Sequence, residues 1–327
     1  MRAVIAPSPG GVEALELVEL PDPEPGPEDL LVEVAATAVN RADILQRRGM
    51  YPPPPGAPDT LGLELSGRVV GMGADVTGWH EGDEVCAVVG GGGYASMAVV
   101  PARTAMPLPP GLDVVSAAAV PEVYATAYDN VFLRAGLRAG ETVLLHGGSS
   151  GVGTAGILLA TRAGVDVVVT VGTEEKAAAC RELGADLAID YKAVDSFADA
   201  IREARDGKGV DVVLDIIGGP YLAQNLAVLE PDGRMVTIGL MGGARAEINL
   251  GLVLSKRLSV MGSTLRARSV DAKASLAERL LADVWPGFAD GTLRPIIHSR
   301  HALADVAAAH EELESSTHIG KILLVVD

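Results

Sequence analysis

Short apolar runs broken by turn signals fill residues 1 to about 120. The breaks include Ser8-Pro9-Gly10-Gly11, Pro21 to Pro27, Gly71-Met72-Gly73, Glu81-Gly82-Asp83 and Gly90 to Gly93. Between them lie strand-like stretches such as Leu30-Leu31-Val32-Glu33-Val34 and Glu84 to Val89, a spacing that predicts an all-β, barrel-like unit. From about 123 to 266 the texture changes. Apolar strands (Thr142 to His146, Val165 to Val171, Ala188 to Asp190, Val210 to Ile217, Arg234 to Leu240, Leu258 to Leu265) alternate with helical stretches near Thr154 to Ala163, Glu174 to Leu183 and Tyr221 to Leu229. Continuous Val/Leu/Ile strands alternating with helices predict a parallel sheet covered on both faces, a doubly wound α/β domain. A helix over Ser269 to Asp283 and a last strand over Lys321 to Val326 follow, and that strand can pair back with the N-terminal ones. The expected domains are therefore residues 1–122, 123–266 and a return over 267–327.

Composition narrows the class. At 327 residues, 48% hydrophobic and 21% charged, the chain suits a soluble protein of two domains. A net charge of −17, from 43 acidic and 26 basic residues, opposes binding to nucleic acid or an acidic membrane surface. No apolar run reaches the roughly 18 residues of a membrane span. The first residues enter a strand-like run without the apolar core of a signal peptide, so a cytoplasmic location is expected. Two cysteines, Cys86 and Cys180, exclude a disulfide framework and a four-cysteine zinc lobe.

The chemistry begins at Gly148-Ser149-Ser150-Gly151-Val152-Gly153, between a predicted strand and a predicted helix. That is the context of a dinucleotide fingerprint, in which glycines allow a tight turn and close backbone approach while the helix N-terminus faces the pyrophosphate. Ser150 stands where the middle glycine belongs, and Gly151 is expected to supply part of the missing freedom. An NAD site ends its second strand with an acid for the ribose 2′-hydroxyl. Here that strand ends Val169-Thr170-Val171-Gly172. Gly172 leaves room for a 2′-phosphate that Lys176 and Tyr191 can hold, which predicts NADPH.

With these motifs in view, the chain resembles the zinc-independent quinone oxidoreductases, zeta-crystallin-like, of the medium-chain dehydrogenase/reductase superfamily. The likeness runs through Asn40-Arg41-Ala42-Asp43, Gly49-Met50-Tyr51-Pro52-Pro53-Pro54, Leu61-Gly62-Leu63-Glu64-Leu65-Ser66-Gly67, Gly82-Asp83-Glu84-Val85, Ser150 to Gly153, Gly239 to Gly243 and Ile319-Gly320-Lys321-Ile322. The resemblance implies a GroES-like barrel domain joined to a Rossmann domain. It places Asn40 and Leu63 where zinc-dependent relatives carry their cysteine and histidine ligands, so no metal is expected. Tyr51 then becomes the candidate to hydrogen-bond the acceptor's oxygen, with Asn40 donating its amide to substrate or nicotinamide ribose and Asp43 orienting Asn40 or Tyr51. Leu45 replaces a second tyrosine common in the family, and Glu64 is expected to be structural.

Further cofactor contacts implied by the resemblance are Thr126 near the carboxamide, Ile217 and Gly218 near the adenine, and Leu240, Met241 and Gly242 near the nicotinamide, with Leu265 and His318 added. The strand Leu258 to Leu265 is expected to form a sheet edge that pairs with a second copy in a homodimer. Quinone reduction by NADPH is the leading function. Reduction of enals or enoyl thioesters is the alternative, for which Arg47, Arg48 and Arg266 offer a basic patch. A non-enzymatic NADPH-binding role is third.

Overall fold

A computed structural model describes residues 1–326. The chain divides into two compact units, Met1–Ala125 with Leu265–Asp327, and Thr126–Thr264.

The first unit opens with an antiparallel ribbon of β1 (Arg2–Ile5) and β2 (Glu16–Glu19). Then come β3 (Asp29–Ala38), α1 (Arg41–Arg47), β4 (Glu64–Met72), β5 (Glu84–Val88), β6 (Met97–Pro101) and β7 (Met106–Pro107). β3 pairs antiparallel with β4 and β6, and β4 with β5. Alternate residues Leu30, Val32 and Val34 of β3 pack with Leu65, Val69, Val85 and Val100, the period-two burial of a sheet with one face on a core. Register shifts between Leu31 and Val32 and between Val34 and Ala36 mark bulges that bend the β3–β4 pair.

The region is not purely β, as its turn-rich texture suggested. It contains α1 and the short helices α2 (Val114–Ala117) and α3 (Pro121–Ala127). The α1 start is local chemistry: the Asp43 carboxylate accepts the backbone N–H of Asn40 three residues earlier, at 2.8 Å. A seven-residue helix is too short for its period to stand out among strands.

The second unit carries β8 (Thr142–His146), α4 (Gly151–Arg162), β9 (Asp166–Val171), α5 (Glu174–Glu182), β10 (Leu187–Asp190), α6 (Phe197–Ala204), β11 (Val210–Asp215), α7 (Leu222–Val228), β12 (Leu229–Thr237), α8 (Leu250–Lys256) and β13 (Ser259–Gly262). All neighbours are parallel, in the order β10-β9-β8-β11-β12-β13. Val143, Leu145, Val167, Val169, Val212, Leu214 and Val236 face one core, and Leu144, Val168, Val213 and Met235 face the other. The middle residues of β8, β9 and β11 are apolar on both sides because both faces are covered. The strand order reverses at β8 and β11, so the loop after β8 lies at the switch point where doubly wound sheets bind ligands.

The chain then returns to the first unit through α9 (Val270–Asp283), α10 (Trp285–Ala289), β14 (Ile297–Ala302), α11 (Val306–Ser315) and β15 (Lys321–Val325). β15 pairs antiparallel with β3, matching Leu323 with Ala38 and Val325 with Ala36, so the first sheet is discontinuous in sequence. Ile322 and Leu324 are fully buried there beside Val39, Ile44 and Leu61. Each such side chain contributes about 1.5–3 kcal/mol, which anchors the returning segment. Among the described residues no helix is long and apolar enough to cross a membrane.

Candidate active site

The loop after β8 resolves the apparent mismatch at Ser150. The left-handed residue is Gly147, with φ +69°, one position before the fingerprint begins. Ser150 has φ −70° and ψ 168°, an ordinary N-cap conformation, and its Oγ accepts the Gly153 N–H at 3.0 Å. No glycine is needed at that position; the turn takes its freedom earlier, and not from Gly151. Gly153 is constrained by space instead, since a Cβ there would lie 2.3 Å from the Gly147 carbonyl oxygen. Thr154 N–H is bonded to Ser150 O at 2.8 Å, so the donors that the helix start leaves outward are those of Gly151 and Val152. Two free N–H groups at the positive end of a 12-residue helix suit a pyrophosphate. His146, at the end of β8, is buried core: its ring nitrogens lie 2.8 Å from Thr170 Oγ1 and 2.7 Å from Asn225 Oδ1.

At the end of β9 three of the sequence candidates meet a fourth residue. A Cβ on Gly172 would sit 3.1 Å from Tyr191 Oη and 3.4 Å from Lys192 Cε. Lys176 stands in the first turn of α5, capped by Thr173, where a cation opposes the helix dipole. Its pKa is lowered, first by burial and then by the charge of Lys192. The two ammonium groups are thus close enough to repel each other. Lys192 went unnoticed in the sequence because it lies 16 residues from Lys176 and reaches it only through the turn after β10.

The adenine and nicotinamide candidates also come together within the second unit. The Asp215 carboxylate accepts the N–H groups of Ile217 at 2.8 Å and Gly218 at 3.1 Å. Gly218 takes φ +84° and bridges to Gly243, while Gly242 N–H donates to Ile217 O at 2.8 Å. Leu240 and Met241 remain exposed, an apolar face beside this knot of loops. Thr126 begins the unit and its carbonyl accepts from Asn130 Nδ2 at 2.8 Å. Leu265 and His318 are buried residues of the first unit.

In the first unit a buried charge cluster surrounds Asn40. Its Nδ2 donates to Glu64 Oε1 at 2.8 Å and to Ala38 O at 3.2 Å, and its Oδ1 accepts from Lys321 Nζ at 2.7 Å. Both amide hydrogens are committed, and Oδ1 is held by Lys321. Glu64, fully buried, takes Lys321 Nζ at 2.8 Å on one oxygen and the Glu122 N–H at 2.8 Å on the other. Burial, then the neighbouring Glu64 charge, pushes the Glu122 carboxyl up to about 8. Asp43 meets Asn40 through the backbone, and its phenol partner is Tyr94 at 3.1 Å rather than Tyr51. Its other oxygen, Oδ1, is buried without a hydrogen-bond partner, and burial raises its pKa to about 6.

Tyr51 is half-buried, with the Arg266 guanidinium 5.3 Å from the ring centre. Burial raises its phenol's pKa and the Arg266 charge opposes that rise. Lys321, Glu122, Arg266 and Lys192 join these clusters, although sequence reasoning missed them or gave them another role. Only the Gly320-Lys321 tail motif hinted at one of them. The basic patch expected from Arg47, Arg48 and Arg266 is not formed. Arg47 is buried, its Nη2 shared between the two Glu314 oxygens at 3.0 Å, Arg48 binds the same carboxylate, and Arg266 is buried.

Comparison with known proteins bears on this geometry. The chain matches the alcohol dehydrogenase GroES-like domain family over residues 26–110 and the zinc-binding dehydrogenase family over residues 151–281. It is 33% identical to the quinone oxidoreductase of Rattus norvegicus over 329 residues, covering 100% of this chain and 98% of the relative. It is also 35% identical over 319 residues to the phthioceranic/hydroxyphthioceranic acid synthase of Mycobacterium tuberculosis, covering 97% of this chain but 15% of that protein. The crystal structure of Escherichia coli quinone oxidoreductase complexed with NADPH superposes with a TM-score of 0.86 at 30% identity, over 99% of each chain.

The residues do not fit the zinc ion in the second family's description. Leu63 is buried and has no donor atom, and Asn40 is bonded within its own cluster. Among the described residues no group of three His, Cys, Asp or Glu side chains is placed to hold a metal ion. Both cysteines are buried, with thiol pKa values raised by burial. End-to-end identity with quinone oxidoreductases, a GroES-like unit and a doubly wound unit with a dinucleotide loop at its switch point together show the family: the chain is an oxidoreductase of the quinone oxidoreductase branch of the medium-chain dehydrogenase/reductase superfamily, with a nicotinamide cofactor.

Proposed function

We propose that this protein reduces quinones with NADPH by direct hydride transfer, without a metal. The observation that carries the cofactor choice is Tyr191 and Lys192 beside Gly172, with Lys176 near enough to Lys192 to feel its charge and no acid at the end of β9. In this reading the N–H groups of Gly151 and Val152, with Ser149 and Ser150 beside them, hold the pyrophosphate. Gly172, Lys176, Tyr191 and Lys192 hold the 2′-phosphate. Ile217, Gly218, Leu240, Met241 and Gly242 flank the adenine and nicotinamide, with Thr126 at the carboxamide and Leu265 and His318 completing the set. The cofactor supplies the hydride; the protein supplies orientation, the dominant effect when no Lewis acid is present.

Each two-electron reduction of a quinone takes one hydride and one proton. Tyr51 hydrogen-bonds the oxygen on which negative charge develops. Asn40 Oδ1, held by Lys321, accepts from a ribose hydroxyl, and Asp43 fixes the start of α1 on which Asn40 sits. Glu122 carries a proton at neutral pH and is the local acid that can replace one given up. Reduction of an enoyl thioester is the second reading, favoured by the similarity to the mycobacterial synthase. The loss of the expected basic patch weighs against a free acyl-CoA as its substrate, because Arg47 and Arg48 are spent on Glu314.

The edge position of β13, with Val260 exposed and Leu250 and Leu254 exposed on α8 beside it, supports a homodimer that continues the sheet. A cytoplasmic location completes the proposal. NADPH oxidation against matched quinones, enals and enoyl thioesters tests it: quinones should give the highest kcat/KM, and a thioester preferred by tenfold would replace the reading.

A further inference from the structure

Arg266 is 4% exposed, yet among the described residues no carboxylate lies within salt-bridge distance of it. Its guanidinium is satisfied by neutral acceptors from three separate segments of the first unit. Nε donates to Gly90 O at 2.7 Å, Nη1 to Tyr51 O at 3.2 Å and Nη2 to Gln46 Oε1 at 2.6 Å. The same group lies over the Tyr51 ring at 5.3 Å. A buried cation is costly without a charge partner, and three carbonyl-type acceptors could be satisfied as well by neutral donors. The charges of Asp43 and Glu122 reach it from farther off, and among the described residues the aromatic face it covers is that of Tyr51. The planar fork also does what an ammonium cannot: it ties the end of α1, the Tyr51 backbone and the Gly90 loop in one plane.

We propose that Arg266 is the positioning residue of Tyr51, fixing the loop and holding its cation against the ring so that the phenol meets the acceptor's oxygen. The proposal rests on the reading of Tyr51 as the acceptor's hydrogen-bond partner. It differs from a plain loop staple in two respects. A staple needs the three hydrogen bonds but not the ring contact, and its loss would weaken folding without acting through Tyr51.

The test uses the full chain with 3-fluorotyrosine incorporated, the Tyr51 signal being assigned by its disappearance in Tyr51→Phe. Arg266→Met should shift that 19F resonance. It should lower kcat/KM for a quinone about 10- to 100-fold while NADPH affinity stays within about twofold. In a Tyr51→Phe background the same substitution should cost little more, because its effect passes through the ring. Arg266→Lys keeps the charge but loses the fork, so it should recover less than half of the lost activity; full recovery would overturn the fork's role. An unmoved Tyr51 resonance, or an Arg266→Met penalty of equal size with and without the Tyr51 hydroxyl, would overturn the proposal. If Arg266→Met does not fold, the resonance and the double substitution are read on Arg266→Lys. Should Tyr51→Phe leave quinone turnover intact, the role of Tyr51 fails, and the resonance alone still decides whether Arg266 positions the ring.

Discussion

Lys321 donates to Asn40, Nζ to Oδ1 at 2.7 Å, across 281 residues of sequence. The returning strand β15 thereby places a buried cation against the start of α1, and Glu64 balances it at 2.8 Å. Three side chains thus fix one another from three distant segments. Lys321→Met would strand the Glu64 carboxylate in the core and should cost about 3–5 kcal/mol of stability. Adding Glu64→Gln should recover part of that loss. Urea unfolding of the two single variants and the double measures the coupling, and simple additivity would show that the pair is not one unit.

Stability should also carry the signature of Glu122. Its carboxyl, ordinarily near 4.5, is pushed up to about 8, so the folded chain keeps a proton that the unfolded chain has lost. The stability it contributes is full below about 4.5, falls as pH rises and is gone once pH passes about 8. Glu122→Gln cannot ionise and should remove this part of the decline. Urea midpoints at about pH 5, 7 and 9 compare the two slopes. Identical slopes would show that Glu122 ionises freely in the folded protein.

The two lysines beside Gly172 should set cofactor preference. A charge-assisted contact to a phosphate contributes about 1.5–3 kcal/mol, so Lys176→Ala and Lys192→Ala should each weaken NADPH binding about 10- to 100-fold. NADH affinity should scarcely change, since it lacks the 2′-phosphate that both lysines are proposed to hold. Fluorescence titration with each cofactor checks this, and equal losses for NADPH and NADH would place the lysines elsewhere.

Val260, 43% exposed on the edge strand β13, should matter only in an assembly. Val260→Lys puts a charge on that edge and should convert a dimer to a monomer with little change in the monomer's own fold. Light scattering at micromolar concentration reads the outcome. A parent protein already monomeric there would remove the basis of the expectation.

Much of the architecture was written in local patterns. The central strands of the parallel sheet, β8, β9 and β11, are short Val- and Leu-rich runs bounded by turn residues, because both of their faces are covered. The helix α1 was missed because its start signal, Asp43 on the Asn40 N–H, sits within a stretch whose neighbours are strands. The loop after β8 was legible as a motif, but its serine looked like a flaw until Gly147 proved to hold the positive φ and Ser150 the cap. The site's charges were less legible. Lys321, Glu64 and Glu122 lie far apart in sequence, and nothing local says that a tail lysine closes on a β4 carboxylate. Arg47 and Arg48 read as an open cationic pair, and only the fold reveals that α11 brings Glu314 to both.

NADPH-specific reduction of a quinone without metal is tested by kcat/KM for one quinone with NADPH and with NADH, on protein dialysed against a chelator and shown by elemental analysis to hold no metal. Turnover with NADPH should be undiminished, and the value with NADH at least tenfold lower. Activity lost on dialysis and restored by zinc, or equal use of the two cofactors, would contradict it.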